Sequence, residues 1–103
     1  MTEDNNALLE AIPINLSKGR MIAFVSHEDV DYVEKFVWTA ISTKYRSYAI
    51  RSEKGNNKHK IHLSREIMSL IIDRELVTGE TVRHLNKNSL DCTRDNLILK
   101  GSK

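Results

Sequence analysis

A short, strongly apolar helical segment dictates how this chain can fold. Residues 65–72 are predicted to form a helix, with Ser64 placed to cap its first turn. The apolar side chains of this segment are Ile67, Met68, Leu70, Ile71 and Ile72. They point to most sides of the helix, and a helix that is apolar nearly all round has to be buried. A chain of 103 residues has room for one modest core, so we expect a single domain built around this helix.

The rest of the chain carries short alternating apolar runs, which are typical of strands. Apolar and other side chains alternate over residues 12–16, turn-forming residues follow at 17–20, and residues 21–25 are apolar. This pattern predicts an antiparallel hairpin over residues 12–25. A second hairpin is predicted to pair residues 45–52 with residues 60–63 around a Gly-Asn turn at 54–57. The expected fold class is therefore a small α+β domain.

A second, shorter helix is predicted between the two hairpins. Ser26 can cap it, and acidic residues in its first turn oppose the helix dipole favourably. Its apolar face would hold Val30, Val33, Phe36 and Val37. Tyr32, Phe36 and Trp38 are expected to be core residues.

Beyond the central helix, short strands are expected over residues 81–85 and 97–99, joined by a polar loop. Residues 1–11 are expected to be a flexible arm and residues 12–103 the single domain. The only cysteine, Cys92, excludes a disulfide framework and a cysteine zinc site, and we expect it to be partly exposed in the loop. Short apolar runs and an acidic N-terminus exclude a membrane span and a secretory signal, so we expect a cytoplasmic protein with no membrane partner.

Positive charge is concentrated in the middle of the chain. Residues 44–65 carry seven cationic side chains and one acidic side chain, although the net charge of the whole chain is only +2. The seven cations are Lys44, Arg46, Arg51, Lys54, Lys58, Lys60 and Arg65. Such asymmetry favours a polyanionic partner, with DNA the first candidate and Tyr45 or Tyr48 able to pack on its sugars or bases. The alternative is a β-ribbon whose lysines only keep an edge strand soluble.

Residues 82–97, with the sequence VRHLNKNSLDCTRDNL, resemble the HNH (His-Me finger) endonucleases of phages and mobile introns. In that family a strand ends in histidine, a polar loop follows, and Arg-x-Asn-Leu leads into the next strand. The twelve positions from His84 to Asn96 match the family spacing. Upstream segments similar to the free-standing phage HNH proteins are Ile12–Ile14, Asp31–Tyr32, Phe36–Trp38, Tyr48–Arg51 and His62–Met68.

The resemblance also implies a fold and a setting. The basic hairpin over residues 44–63 is similar to the three-stranded DNA-binding domain of plant ethylene-response factors. Residues 80–100 would be a truncated ββ remnant of the HNH finger. A phage protein of this kind would act in the cytoplasm of a bacterial host cell.

For catalysis, the resemblance implies a histidine base at His84 and a structural loop brace at Asn96. The family's Mg²⁺ is held by an acidic residue before the histidine and by a residue on a following helix. Here Arg83 precedes His84, and the second ligand would fall near position 105, beyond Lys103. We therefore expect no bound metal and no cofactor, with His84 as a catalytic relic. Mg²⁺ would be required only if the protein were a live nuclease.

Two smaller features of this region bear on the same question. Lys87 replaces the glycine of the family's loop, which costs energy if the loop needs a positive φ. A zinc site built from His59, His62 and His84 lacks any supporting cysteine or spaced acid, and we do not favour it.

The leading expectation is a non-catalytic, phage-encoded nucleic-acid-binding protein. In this interpretation Arg83, Lys87 and Arg94 add to the basic hairpin, and Arg83 holds the phosphate that a metal once held. One alternative is a phage protein that binds and inhibits a host enzyme or defence complex through an acidic face. That face would comprise Glu28, Asp29, Asp31 and Glu34. A second alternative is a metal-dependent HNH DNA endonuclease completed by a partner chain.

Overall fold

The computed structural model describes residues 11–17, 20–53 and 56–101, together with their side chains except those of residues 56–58. The strands are β1 (Ala11–Asn15), β2 (Ile22–Ser26), β3 (Thr39–Ser42), β4 (Ser47–Glu53), β5 (Asn56–His62), β6 (Thr81–His84), β7 (Asp91–Cys92) and β8 (Leu97–Lys100). The helices are α1 (Val30–Val33) and α2 (Leu63–Ile72), with single 3₁₀ turns at His27–Asp29 and Arg94–Asn96. The predicted small α+β fold with two short helices is confirmed.

The strands form three small sheets, and α2 contacts strands from each of them. The sheets have the orders β1-β2-β7, β3-β4-β5 and β6-β8, and α2 packs against β4, β5, β6, β7 and β8. Leu63 and Ile67 of α2 are fully buried. The central helix predicted from the sequence is therefore confirmed. In the described part of the chain, no helix is long and apolar enough to cross a membrane.

The N-terminal hairpin forms as predicted and gains a third strand. β1 and β2 pair antiparallel, with Ile12 opposite Val25 and Ile14 opposite Ala23. β7 pairs with β2 in parallel. The sequence could not predict this pairing, because β7 has only two residues. The predicted arm over residues 1–11 lies outside the described residues, except for Ala11, which begins β1.

β7 also corrects the prediction that Cys92 is partly exposed. Cys92 pairs with Val25 of β2 and is only 1% exposed. Burial raises the pKa of its thiol to about 12. The thiol is therefore a small packing group of the core rather than a reactive loop residue.

The basic hairpin is part of a three-stranded sheet, because β3 pairs with the outer side of β4. Ala40 lies opposite Ala49, and both pack against the core. Side chains alternate along a strand, so Ile41 and Tyr48 lie on the other face of the sheet. The turn predicted at residues 54–57 falls largely on residues 54 and 55, which are outside the described residues.

Arg51 joins this sheet to α2 and to the aromatic core. Its guanidinium lies 2.9 Å from the Glu66 carboxylate and 3.8 Å above the centre of the Phe36 ring. The Tyr32 hydroxyl donates a hydrogen bond to the same carboxylate, and burial together with this bond raises the pKa of Tyr32. The indole N–H of Trp38, which is 2% exposed, donates to the Val33 carbonyl. Trp38 is a core residue as expected, and Tyr32 and Phe36 are partly buried and pack against the core.

The predicted Ser64 cap is wrong, because α2 begins at Leu63 and His62 is its N-cap residue. Ser26 does stand at the N-cap position of the His27–Asp29 turn, as predicted, but its side chain makes no capping hydrogen bond. Leu63 is fully buried, so packing brings it into the helix and leaves Ser64 buried inside the first turn. The Ser26 hydroxyl instead accepts a hydrogen bond from the backbone N–H of Arg94.

The helix predicted after Ser26 is also shorter than its apolar pattern suggests. It begins as a 3₁₀ turn and ends at Val33, before the last two members of the predicted apolar face. Val37 is therefore not on a buried helix face, and its side chain is 76% exposed.

Arg94 is held inside the fold by Asp29. The guanidinium Nε and Nη2 atoms lie 3.0 and 2.7 Å from the two oxygens of Asp29, whose side chain is 1% exposed. Asp29 is therefore not part of an acidic surface, which corrects that element of the host-protein alternative. A third nitrogen of Arg94 lies 3.4 Å from the Glu28 carboxylate, so Arg94 is engaged within the protein.

We expect Arg94→Ala to destabilise the protein by about 3–5 kcal/mol, because it leaves the buried Asp29 carboxylate without a counter-charge. Arg94→Lys keeps the charge but loses the bidentate hydrogen bond to Asp29, so it should destabilise the protein by less than Arg94→Ala does. Urea denaturation followed by circular dichroism measures both. The exposed Arg83 is the control, and Arg83→Ala should change stability by less than about 0.5 kcal/mol. A loss below about 1 kcal/mol for Arg94→Ala would contradict the assigned role.

Glu80 closes the loop between α2 and β6. Its carboxylate accepts two hydrogen bonds from Arg74, at 2.9 and 2.8 Å, and a third from the backbone N–H of Val77. Its own carbonyl accepts a bond from Arg65. The Arg74 bonds, and then the Val77 bond, lower the pKa of Glu80 from 4.5 to about 2.

A lowered pKa means that ionised Glu80 stabilises the fold above pH 4.5, and that this contribution is lost as the pH falls towards 2. We therefore expect the difference in melting temperature between wild type and Glu80→Gln to be largest near neutral pH. The difference should shrink steadily as the solution is acidified. Thermal melts at several pH values test this, and a difference that stays constant down to pH 2 would contradict it.

Candidate nucleic-acid interface

The segment between β6 and β8 is a loop braced by one asparagine side chain. Asn96 accepts a hydrogen bond on its Oδ1 from the backbone N–H of Asn86 at 2.9 Å. Its Nδ2 donates to the Asp91 carbonyl at 2.8 Å, and its carbonyl accepts from the backbone N–H of Leu85. Asn96 is 8% exposed. One buried side chain thus ties both ends of the loop together.

The other polar side chains of this loop are largely used to hold its shape. Asp91 accepts from the Asn86 amide on one oxygen and from the backbone and hydroxyl of Thr93 on the other. Lys87 adopts φ 64°, the left-handed conformation that glycine would take without strain. Lys87 therefore occupies a position with a positive φ, where a lysine costs energy relative to a glycine.

His84 stands at the end of β6, with its imidazole half-buried. Its Nε2 atom is enclosed and makes no hydrogen bond to the described residues. Burial lowers the pKa of His84, the positive charge of Arg46 lowers it further, and Asp91 opposes the shift. The lowered pKa favours the neutral ring, and Nε2 is not in contact with solvent.

The turn between β3 and β4 lies against this loop. The Ser89 hydroxyl donates a hydrogen bond to the Ser47 carbonyl, across 42 positions of sequence. This bond holds the first residue of β4 beside the loop, which explains why Arg46 is close enough to influence His84. Two chain segments that are remote in sequence thus form one surface.

The turn itself is held by Thr43. The Thr43 backbone N–H donates to the Arg46 carbonyl at 2.7 Å, and the Thr43 hydroxyl accepts from the backbone N–H groups of Tyr45 and Arg46. Residues 43–46 form the turn between β3 and β4, and we call this turn the hairpin tip. Side chains on the hairpin tip are presented by an ordered backbone rather than by a loose loop.

The predicted nucleic-acid-binding cations divide into distinct groups. Within the described residues, the exposed ones without an acidic partner are Lys44, Arg46, Lys60, Arg83 and Lys87. Arg51 and Arg94 are engaged in internal ion pairs, and half-buried Arg65 donates to the Glu80 carbonyl. The side chains of Lys54 and Lys58 lie outside the described residues.

Arg83 does not share a face with His84. The two residues are neighbours in β6, so their side chains leave the strand in opposite directions, with Arg83 exposed and His84 half-buried. The cation that does approach His84 is Arg46. The idea that Arg83 replaces a metal beside His84 is therefore not supported by this geometry.

The residues around His84 do not fit the Mg²⁺ that the HNH resemblance implies. Mg²⁺ is bound in proteins through carboxylates and other oxygen ligands. The nearby carboxylate, Asp91, already accepts three hydrogen bonds from its own loop, and Arg46 adds a positive charge that would repel a cation. Among the described residues there is no group of three or more His, Cys, Asp or Glu side chains that could hold a metal.

Comparisons with known proteins add no relative. No protein-family model, curated protein or solved structure matches the chain.

Sequence reasoning missed how the hairpin tip and the loop meet. The Ser47–Ser89 contact joins residues with no shared motif, and no local pattern indicates it. The exposure of Tyr45 and the half-burial of Tyr48 were also not separable from the sequence, since both flank the same basic run. Thr43, three residues before Arg46, was the one local sign of an ordered turn.

We expect Asn96→Ala to destabilise the protein by about 1–3 kcal/mol, because it removes two part-buried hydrogen bonds and leaves the Asn86 N–H and the Asp91 carbonyl without these partners. Asn96→Asp retains the acceptor but loses the donor and faces the Asp91 carbonyl, so it should also be destabilising. Chemical denaturation measures both variants. Asn88→Ala, which removes an exposed side chain from the same loop, is the control and should cost less than Asn96→Ala. Equal stability of Asn96→Ala and wild type would refute the bracing role.

Proposed function

We propose that this protein is a non-catalytic, phage-type DNA-binding protein built on a degenerate HNH scaffold. The observation that carries the proposal is the contact between the hairpin tip and the loop after His84. It places the hairpin tip, which carries Lys44 and Arg46, next to the loop that carries Lys87. These cations are exposed and have no acidic partner among the described residues.

These exposed cations support the proposal of a polyanionic ligand, because they are free to make new contacts. An exposed cation that neutralises a phosphate releases condensed counterions, and this release drives association with nucleic acid. Arg51 and Arg94 do not contribute in this way, since their charges are neutralised within the fold. Lys60, on β5 opposite Ser52, is a further exposed cation at the other end of the same three-stranded sheet.

The surroundings of His84 favour binding over hydrolysis. A general base has to reach the proton that it removes, and Nε2, one of the two ring nitrogens of His84, is enclosed and cannot do so in this structure. The positive charge of Arg46 acts on His84 and would oppose a metal ion bound there, and a guanidinium can bind phosphate directly. The same geometry that argues against an endonuclease therefore supplies a phosphate-binding group.

Charge reversal tests the proposal. We expect wild type to bind a random DNA duplex with affinity that falls steeply with salt, measured by fluorescence anisotropy. The triple variant Lys44→Glu, Arg46→Glu, Lys60→Glu should bind at least about tenfold more weakly and show a shallower salt dependence.

The matched control reverses three exposed cations elsewhere, with the substitutions Arg20→Glu, Lys35→Glu and Lys100→Glu. It has the same net charge as the test variant, so it separates a local surface from a general charge effect. Binding within about twofold of wild type is expected for the control. Absence of wild-type binding at low salt, or an equal loss in both triple variants, would overturn the proposal. Circular dichroism confirms that each variant is folded.

A further inference from the structure

Tyr45 is the one aromatic side chain that the fold leaves in solvent. The chain has six aromatic residues, and the other five are buried or half-buried. Tyr45 is 82% exposed, whereas Tyr48 packs its ring edge-on against His62 at 5.4 Å. Of the two tyrosines in the basic hairpin, only Tyr45 is thus free to meet a ligand.

The hairpin tip holds Tyr45 in a defined position. Its backbone N–H donates to the Thr43 hydroxyl, and the same hydroxyl accepts from Arg46 on the other side. The stem below is closed by a 2.8 Å hydrogen bond between Ser42 and Ser47. An ordered backbone lowers the entropy lost when an exposed side chain binds.

The neighbours of Tyr45 identify the chemistry that it suits. The Lys44 ammonium lies 5.6 Å from the centre of the Tyr45 ring, and Arg46 follows with its own charge exposed. An exposed aromatic face between two cations matches a strand of nucleic acid, in which each base carries a flat ring and each link carries a phosphate. In a duplex the faces of the bases are stacked on one another, so only an unpaired base offers a face to Tyr45.

We propose that Tyr45 stacks on an unpaired nucleobase while Lys44 and Arg46 contact the flanking phosphates. The ligand class is single-stranded nucleic acid, or a strand with an unpaired base. This inference rests on the proposed nucleic-acid-binding function and specifies the form of the ligand.

Binding to single strands tests the inference. The probes are a twelve-nucleotide oligo-dT, oligo-U of the same length, and a DNA duplex of the same length. We expect Tyr45→Ala to weaken binding of a single strand by about 5- to 100-fold, which is the range for loss of one stacked base. Duplex binding should change by less than about twofold, and Tyr45→Phe, which keeps the ring, should bind the single strand like wild type.

A base-free control separates stacking from charge. A twelve-residue abasic DNA strand keeps the phosphates, so wild type and Tyr45→Ala should bind it equally. Val37→Ala, which removes a 76% exposed apolar side chain outside the hairpin tip and the loop after His84, should leave single-strand binding unchanged. A Tyr45-dependent preference for oligo-dT identifies DNA, and a Tyr45-dependent preference for oligo-U identifies RNA; either result supports the inference.

Failure of this inference can be told apart from failure of the proposed function. If Tyr45→Ala binds single strands as tightly as wild type, or loses single-strand and duplex binding equally, the stacking role is wrong. Duplex binding that still depends on Lys44, Arg46 and Lys60 would leave the proposed function standing in that case. If wild type binds neither single strands nor duplex at low salt, both are wrong.

Discussion

Arg94 fastens the loop after His84 to the core of the domain. Its guanidinium reaches into the fold to the almost fully enclosed Asp29, and its backbone N–H bonds Ser26 at the end of β2. Two positions later, Asn96 ties both ends of the loop after His84 together. A buried carboxylate without its counter-charge is expensive, so the loop position is fixed by electrostatics as well as by packing.

The fixed loop in turn positions the hairpin tip. Ser89 of the loop bonds Ser47 at the start of β4, and this contact places Arg46 near His84. Further along β4, Arg51 neutralises Glu66 and packs on Phe36. Some arginines thus hold the sheet and the loop in place, while others remain free on the surface. This division is why we treat the paired arginines as structural and propose the exposed cations as the binding group.

Local pattern was enough to predict the N-terminal hairpin, the basic hairpin and the central helix, because each is encoded by neighbouring residues. It failed where long-range packing decided the outcome. β7 has no periodicity of its own, and the bonds from Arg94 to Asp29 and from Arg51 to Glu66 join distant segments. For the candidate site, the sequence indicated the basic run of residues 44–65. It could not indicate which of these cations are exposed, or that Arg46 acts on His84.

The central claim is that the hairpin tip and the neighbouring loop form a nucleic-acid-binding surface. Amide chemical shifts of the ¹⁵N-labelled protein during titration with an oligonucleotide test this claim residue by residue. The account predicts shift changes concentrated at residues 43–47, 59–62 and 84–88, with little change at residues 28–35. No changes in the presence of excess oligonucleotide, or changes confined to residues 28–35, would contradict it.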